Sequence, residues 1–341
     1  MLEASPGNDS RLAWLHDSKE LKAIRIQGPS ASAKVGSISF FAPDFAMSSA
    51  TPWWVGEPLD LQPRAPHEAL VRRPHLRHRA DPSATHFAQL FEDIQARMGR
   101  SEFEKVVPMI TQQLEFDQPL RLAMLPPYRE LKYDQRFSYG FEFDGQGLCG
   151  VTPELLFSVD NGVLKTMALA GTGPADGSSL LQDPKEVFEH QLVIDYLLNA
   201  LAPWGQVHCG PTHEKIFGAL KHLRTEVEVK LSRPADFVEL VKCLHPTAAL
   251  GGWPRAAAWN WLQAQDFHTE RRRFGAPFGY VDASGARMLC VVAIRGIQWE
   301  NNCAWIHAGC GIVKQSQALR EWQELQLKLK SIHQLLGMED L

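Results

Sequence analysis

Four glutamates in this chain fall into two pairs with the same spacing. Glu186 and Glu189 lie in Asp183-Pro184-Lys185-Glu186-Val187-Phe188-Glu189-His190, and Glu321 and Glu324 lie in Arg320-Glu321-Trp322-Gln323-Glu324-Leu325. On a helix, residues three apart project from one face, so two facing helices could offer the oxygens of four carboxylates to one hard cation. Carboxylate-only ligation suits Mg2+, which keeps open positions that an anionic ligand can fill; the competing reading is two solvated helix faces. Other residues add anion chemistry. Arg295 carries a planar fork matched to two carboxylate oxygens, or serves a structural salt bridge. The backbone of Gly309 to Gly311 allows close approach because no side chain intervenes. Lys328 follows Glu324 by four residues on the same face, where it balances the acids, reaches a ligand, or forms a plain ion pair within the helix.

The elements that must hold these residues can be read from periodicity and turn chemistry. A helix over 184–201 begins on Asp183-Pro184 and stops before Pro203-Trp204-Gly205, and another over 319–336 carries the second acidic pair. An amphipathic helix after Asp81 or Ser83 presents Phe87, Leu90, Phe91, Ile94 and Met98 on one face and leads to a strand near Phe103 that holds Lys105. Strands are expected at 35–41, 137–143, 155–159, 287–295 and 303–308, and shorter helices at 235–243 and 255–265. Residues 120–165 read as successive strands, in which Asp144-Gly145 and Asn161-Gly162 are hairpin turns that imply antiparallel pairing. Long strand blocks interrupted by helices favour an α+β fold over an alternating parallel sheet. Residues 1–82 are expected to be N-terminal strands and a Pro-rich basic connection belonging to the same domain as a catalytic region over 83–341.

Composition narrows the class. The chain has 341 residues, 45% of them hydrophobic, and a formal net charge of -4, which suits a folded protein with no general affinity for polyanions. The basic run Arg72, Arg73, His75, Arg77, His78, Arg79 lacks the interleaved aromatics of a base-stacking surface, so it reads as a solvated loop and no nucleic-acid partner is expected. No stretch is long and apolar enough to span a membrane, and the mixed charges of the first thirty residues argue against a secretory signal. Six scattered cysteines without metal spacing read as reduced core residues of a cytoplasmic protein.

Five ordered segments resemble the chorismate-utilising enzymes, a family that includes isochorismate, salicylate, anthranilate and aminodeoxychorismate synthases. They are Phe103-Glu104-Lys105-Val106-Val107; Val151-Thr152-Pro153-Glu154-Leu155-Leu156 with Leu169-Ala170-Gly171-Thr172; Lys185-Glu186 with Glu189-His190; Leu244-His245-Pro246-Thr247-Ala248-Ala249-Leu250-Gly251-Gly252-Trp253-Pro254-Arg255; and Ala293-Ile294-Arg295 through Lys328. The resemblance implies a single α+β domain of two large packed antiparallel sheets flanked by helices. It also implies chorismate as substrate, its ring carboxylate held through magnesium. Glu189 and Glu324 would be direct or water-bridged ligands, with Glu186 and Glu321 in support. Arg295, Gly309, Gly311 and Lys328 would hold the enolpyruvyl carboxylate. Thr172 with Gly171 would meet the ring carboxylate, and His245 would border the ring or be a hydrogen-bonded structural residue. His222 is assigned a structural role.

Within the family the letters point to isochorismate synthase. Lys105 stands where isochorismate and salicylate synthases resemble each other in having lysine and anthranilate synthases usually show glutamine; burial near another cation would suit it to accept a proton from water attacking ring carbon 2. Glu154 would protonate the hydroxyl leaving ring carbon 4. Ala170 occupies the place of the attacking lysine of aminodeoxychorismate synthases, and Phe274 that of a tyrosine in salicylate formers. A magnesium-dependent monomer without a glutaminase subunit is expected, serving menaquinone or siderophore synthesis. Salicylate synthase and a silent chorismate-binding relative remain as alternatives, the latter because Pro108-Met109-Ile110 replaces a common Leu-Ala-Arg and the segment between Thr172 and Glu186 is short.

Overall fold

Strand alternation builds the architecture. In Arg11–His16, Leu12 and Trp14 enter one buried cluster while Ala13 and Leu15 enter another, because successive side chains point to opposite faces. Phe40 and Phe41 divide in the same way. Strands buried on both faces therefore form the middle layers of the molecule, and helices cover the outsides.

The computed structural model describes residues 11–17, 19–61, 73–126 and 136–338. Its helices are α1 (Ala84–Gly99), α2 (Pro184–Leu201), α3 (Phe237–Leu244), α4 (Arg255–Gln263), α5 (Phe267–Glu270) and α6 (Ala318–Leu335). One sheet runs, by antiparallel pairing, through Leu76–Ala80, Met109–Phe116, Cys303–Gly309, Gly296–Glu300, Gln146–Thr152, Phe137–Phe143, Arg11–His16 and Leu21–Ser30. The second runs through Trp53–Pro58, Ser39–Phe41, Pro277–Val281, Met288–Val292, Leu155–Asp160, Val163–Pro174 and Leu220–Leu231, and the last of these carries both Gly205–Cys209 and His213–Phe217. The two are joined where Leu21–Ser30 pairs with Trp53–Pro58 through an irregularity between Ile26 and Gly28, so seventeen strands are hydrogen-bonded in succession.

Three cores follow. The inner one, between the sheets, contains Leu15, Ile24, Phe40, Tyr139, Phe141, Phe278 and Val291. Outside the first sheet, Ile110, Ile306 and Trp299 meet α1, α4 and α6. Outside the second, Phe157, Leu164 and Val229 meet α2 and α3. This is the α+β fold expected, a single domain of large antiparallel sheets with flanking helices.

Local expectations are met in detail for several elements. Ser83 caps α1, its hydroxyl accepting from the His86 amide at 3.2 Å. Asp144-Gly145 and Asn161-Gly162 both turn with positive φ, as two-residue hairpins of right-handed twist require. The strand at 35–41 shrinks to Ser39–Phe41, because Val35 projects fully into solvent (99% exposed) from a turn and has no partner strand. Of the basic run, Arg72 lies outside the described residues, as do residues 127–135 near the start of the strand block expected over 120–165. The Arg79 guanidinium pairs with Asp81 at 2.7 Å, and Arg73 donates to the Leu336 and Gly337 carbonyls. No described helix is long and apolar enough to cross a membrane, and all six cysteines are free.

Candidate active site

Helix α2 packs on the second sheet and α6 on the first, and their N-terminal turns meet at one end of the sandwich. Asp183 caps α2 by accepting from the Lys185 amide at 3.0 Å, and its other oxygen takes the Arg320 guanidinium of α6 at 3.0 Å, which ties the two helix starts together. The facing turns bury Lys185, Glu186 and Glu189 on one side and Glu321 on the other. The competing reading of two solvated helix faces does not hold for these acids: Glu189 is 5% exposed and Glu321 2%.

Three of the four acids converge around an ammonium. Lys185 Nζ lies 3.1 Å from Glu186 Oε1, 3.0 Å from Glu189 Oε2 and 3.1 Å from Glu321 Oε1. The other oxygen of Glu189 is 3.1 Å from the fully buried Lys105. Glu324 Oε1 accepts from Lys328 at 2.5 Å, and Lys328 also donates to the Gly309 carbonyl at 2.7 Å. Burial works to raise the Glu189 pKa, yet Lys105 and Lys185 together hold it well below the usual range. Burial and the charge of Glu189 raise Glu186, and burial raises Glu321 in spite of Lys185. Burial acts to lower Lys185, but the surrounding carboxylates carry it well above the usual lysine value.

Among the described residues no group of three or more His, Cys, Asp or Glu side chains stands arranged to hold a metal ion, and Lys185 sits between three of the acids. In kind and number the donors nevertheless suit a hard dication: four carboxylates, and a buried Glu321 Oε2 with no hydrogen-bond partner. Glu189 and Glu324, supported by Glu186 and Glu321, would hold it.

Beside the acids lies a cavity of about 70 Å³ lined by Glu154, Thr172, His222, Arg295, Gly309 and Lys328, among others; it adjoins a groove of about 700 Å³ that shares Thr172 and Glu324. Lys105 reaches the site from a two-residue strand, Lys105–Val106, held between Gly252–Trp253 and Ile312–Val313. Gly311 makes room for it. A Cβ there would lie 1.9 Å from Glu189 Oε1 and 2.8 Å from Lys105 Cε. Glu154 sits between Gln146–Thr152 and Leu155–Asp160, its amide donating to Thr152 Oγ1 at 3.1 Å. Burial pushes its pKa up to about 8 against the opposing pull of Lys105, Lys328 and Arg295. At neutral pH it is a carboxylic acid with a proton to give.

Arg295 has a left-handed backbone (φ 58°), uncommon outside glycine, which aims its guanidinium at Ser331 Oγ and His222 Nε2, both at 3.1 Å. A guanidinium only donates, so His222 Nε2 accepts and the ring proton resides on Nδ1, 3.1 Å from the Gly171 carbonyl and 3.0 Å from Thr172 Oγ1. Burial and Arg295 hold His222 well below its usual pKa, which keeps it neutral. His222 thus links Thr172 to Arg295 and lines the cavity; its place in the site was not foreseen, and only its sequence neighbourhood hinted at it. Lys185 was also missed. Its signal was one residue before Glu186 and four before Glu189, the spacing of an ion pair within a helix. His245 stands apart from the group: its Nε2 is 2.7 Å from the Phe45 carbonyl, its ring meets Phe45 edge-on, and it does not line the cavity. Thr172, Gly171, Arg295, Gly309, Gly311, Lys328, Glu154, Lys105 and the four acids are brought together.

An arrangement of one buried acid, one buried amine, a guanidinium and a cluster of carboxylates can bind a small charged ligand and move protons on it. Comparison with known proteins identifies the family. Residues 57–337 match the family described as chorismate binding enzyme. Isochorismate synthase MenF of Bacillus subtilis is 32% identical over 262 residues, covering 73% of this chain and 55% of that protein. The salicylate biosynthesis isochorismate synthase of Pseudomonas aeruginosa is 33% identical over 199 residues, covering 55% of this chain and 41% of that protein. The chain therefore spans about half the length of these curated relatives. Among solved structures, the menaquinone-specific isochorismate synthase MenF from Escherichia coli superposes with a TM-score of 0.78 at 20% identity, over 98% of this chain and 92% of that one. Anthranilate synthase component I from Streptococcus pneumoniae superposes at 0.71 and 19% identity, over 97% of this chain and 93% of that one, a likeness of fold. By the extent of the family match, the chain belongs to the chorismate binding enzymes.

Proposed function

We propose that the protein is an isochorismate synthase, converting chorismate to isochorismate. The observation that carries this reading is the placement of two buried groups: Glu154, its pKa pushed up to about 8 by burial, lines the cavity, and the fully buried Lys105 lies close enough to act on it electrostatically. Lys105 takes a proton from the water that attacks ring carbon 2, and Glu154 gives its proton to the hydroxyl leaving carbon 4, so water is consumed and released in equal number. Arg295, set by His222 and Ser331, receives the enolpyruvyl carboxylate with Lys328. Thr172 meets the ring carboxylate. Magnesium, held by Glu189 and Glu324, would supply positive charge against that carboxylate.

Ala170 lines the cavity with a methyl group, leaving no amine there to attack the ring, and Phe274 lines it with an unsubstituted ring, offering no hydroxyl to the pyruvyl group. Both favour stopping at isochorismate, without a glutaminase partner. We read the protein as a cytoplasmic monomer serving menaquinone or siderophore synthesis. The test is incubation with chorismate and magnesium, with products separated by chromatography. Isochorismate in equilibrium with chorismate is expected. Salicylate with pyruvate would favour the longer reaction, and anthranilate on addition of ammonium would overturn the proposal.

A further inference from the structure

The ammonium of Lys185 stands where the carboxylates of α2 and α6 converge, and its ion pairs within α2 leave unexplained why it also meets Glu321 of α6. It lies in the first turn of α2, where the helix dipole disfavours a cation, and only 8% of it is exposed. A lysine buried in that way is stable only when its charge is compensated. The compensation comes from three carboxylates on two helices, at 3.0–3.1 Å.

We propose that Lys185 is a built-in counter-cation which holds the magnesium site closed, so that the ammonium and the divalent cation compete for one set of carboxylates and loading requires Lys185 to swing away. The inference rests on the reading of Glu189 and Glu324 as magnesium ligands. An ammonium has three N–H donors, and here three carboxylate oxygens surround it. Their spacing is that of hydrogen bonds, whereas magnesium draws oxygens in to about 2.0–2.1 Å. Two cations at one focus repel each other, and the neighbouring lysines do not share this place: Lys105 takes the opposite oxygen of Glu189, and Lys328 takes Glu324.

An exit exists. Lys185 lines the groove of about 700 Å³ in front of the acids, together with Asp183 and Gln182, and its four-carbon stem can carry the ammonium outward while α2 stays in place. The lysine then serves the metal-free protein by keeping three buried acids from repelling one another. It also sets a threshold for loading, since the site's apparent affinity is its intrinsic affinity scaled by the fraction of molecules in which Lys185 has left.

The test is calorimetric titration of the full chain with magnesium chloride, without substrate, comparing wild type with Lys185→Met and Lys185→Gln. Removal of the competitor should tighten magnesium binding by about tenfold or more. The metal-free variants should melt below wild type and gain more in Tm on addition of magnesium. A second measurement needs no variant: reductive methylation followed by mass spectrometry should find Lys185 protected in metal-free wild type and labelled at saturating magnesium. Wild type that binds magnesium, with variants that bind it equally or more weakly and labelling that magnesium does not change, would overturn the competition while leaving the metal site standing. Magnesium binding by none of the three proteins would remove the metal site and this inference with it.

Discussion

Glu154→Gln separates the chemistry of the site from its architecture, because glutamine keeps the shape of the protonated acid and cannot ionise. The carboxyl has a folded pKa of about 8 against 4.5 for the free side chain, raised chiefly by burial. A group whose folded pKa is raised favours the folded state while it is protonated. Its contribution is complete below pH 4.5 and is lost progressively as the pH climbs to about 8. At about 1.4 kcal/mol per pKa unit the loss amounts to roughly 5 kcal/mol at pH 9. Urea unfolding followed by tryptophan fluorescence should therefore find wild type and Glu154→Gln similar near pH 4.5, and the variant more stable by several kcal/mol at pH 9. The difference between the two proteins cancels every other group that titrates over the range. In turnover assays the wild type should lose activity above about pH 8 as the acid loses its proton, while the variant runs about 10² to 10⁴ slower at pH 7 with no such alkaline decline. A stability gap that stays flat from pH 5 to pH 9, or an alkaline decline that survives in the variant, would show that Glu154 is not the buried acid described.

Lys105→Gln should lower isochorismate formation by about 10² to 10⁴, with slow ammonia addition as the product to look for by chromatography; near wild-type synthesis would place the base elsewhere. Gly311→Ala puts a Cβ 1.9 Å from Glu189 Oε1, and such overpacking should cost about 1–3 kcal/mol in Tm measurements while displacing the Glu189–Lys105 pair and with it turnover. Glu189→Gln should abolish magnesium binding in calorimetry. It should also destabilise the fold by about 3–5 kcal/mol, because Lys105 and Lys185 would lose the carboxylate between them.

Much of this was legible in the sequence where local physics decides. The Asp-Pro start and Pro-Trp-Gly stop fixed α2 to the residue (Pro184–Leu201), and the strand Phe137–Phe143 followed from alternation beside an Asp-Gly turn. What could not be read depends on partners distant in the chain. Val35 has strand propensity but no neighbouring strand to satisfy it. The two-residue strands that carry Lys105, Gly252–Trp253 and Ile312–Val313 are too short for any period. The helical spacing of the four acids was visible, but not whether their shared face met water or another helix, and burial is what turns Lys185 from a surface cation into a resident of the site. Nothing in the immediate sequence of His245 or His222 names its partner; only the fold decides that the first bonds to Phe45 and the second to Arg295.

The join between the sheets has a kinetic consequence. Because the two layers meet, among the described residues, through one strand pair and otherwise close over contacts such as Tyr139 with Ile294 and Asp183 with Arg320, 155 and 137 residues apart in sequence, loop closure must precede the reward of pairing. The acidic cleft draws on both layers, so by hypothesis it is the last region to consolidate during refolding. In pulse-labelled hydrogen exchange the amides of Phe137–Phe143 should gain protection before those of the first turns of α2 and α6. Simultaneous protection of all three would mean that the layers and the cleft form in one step.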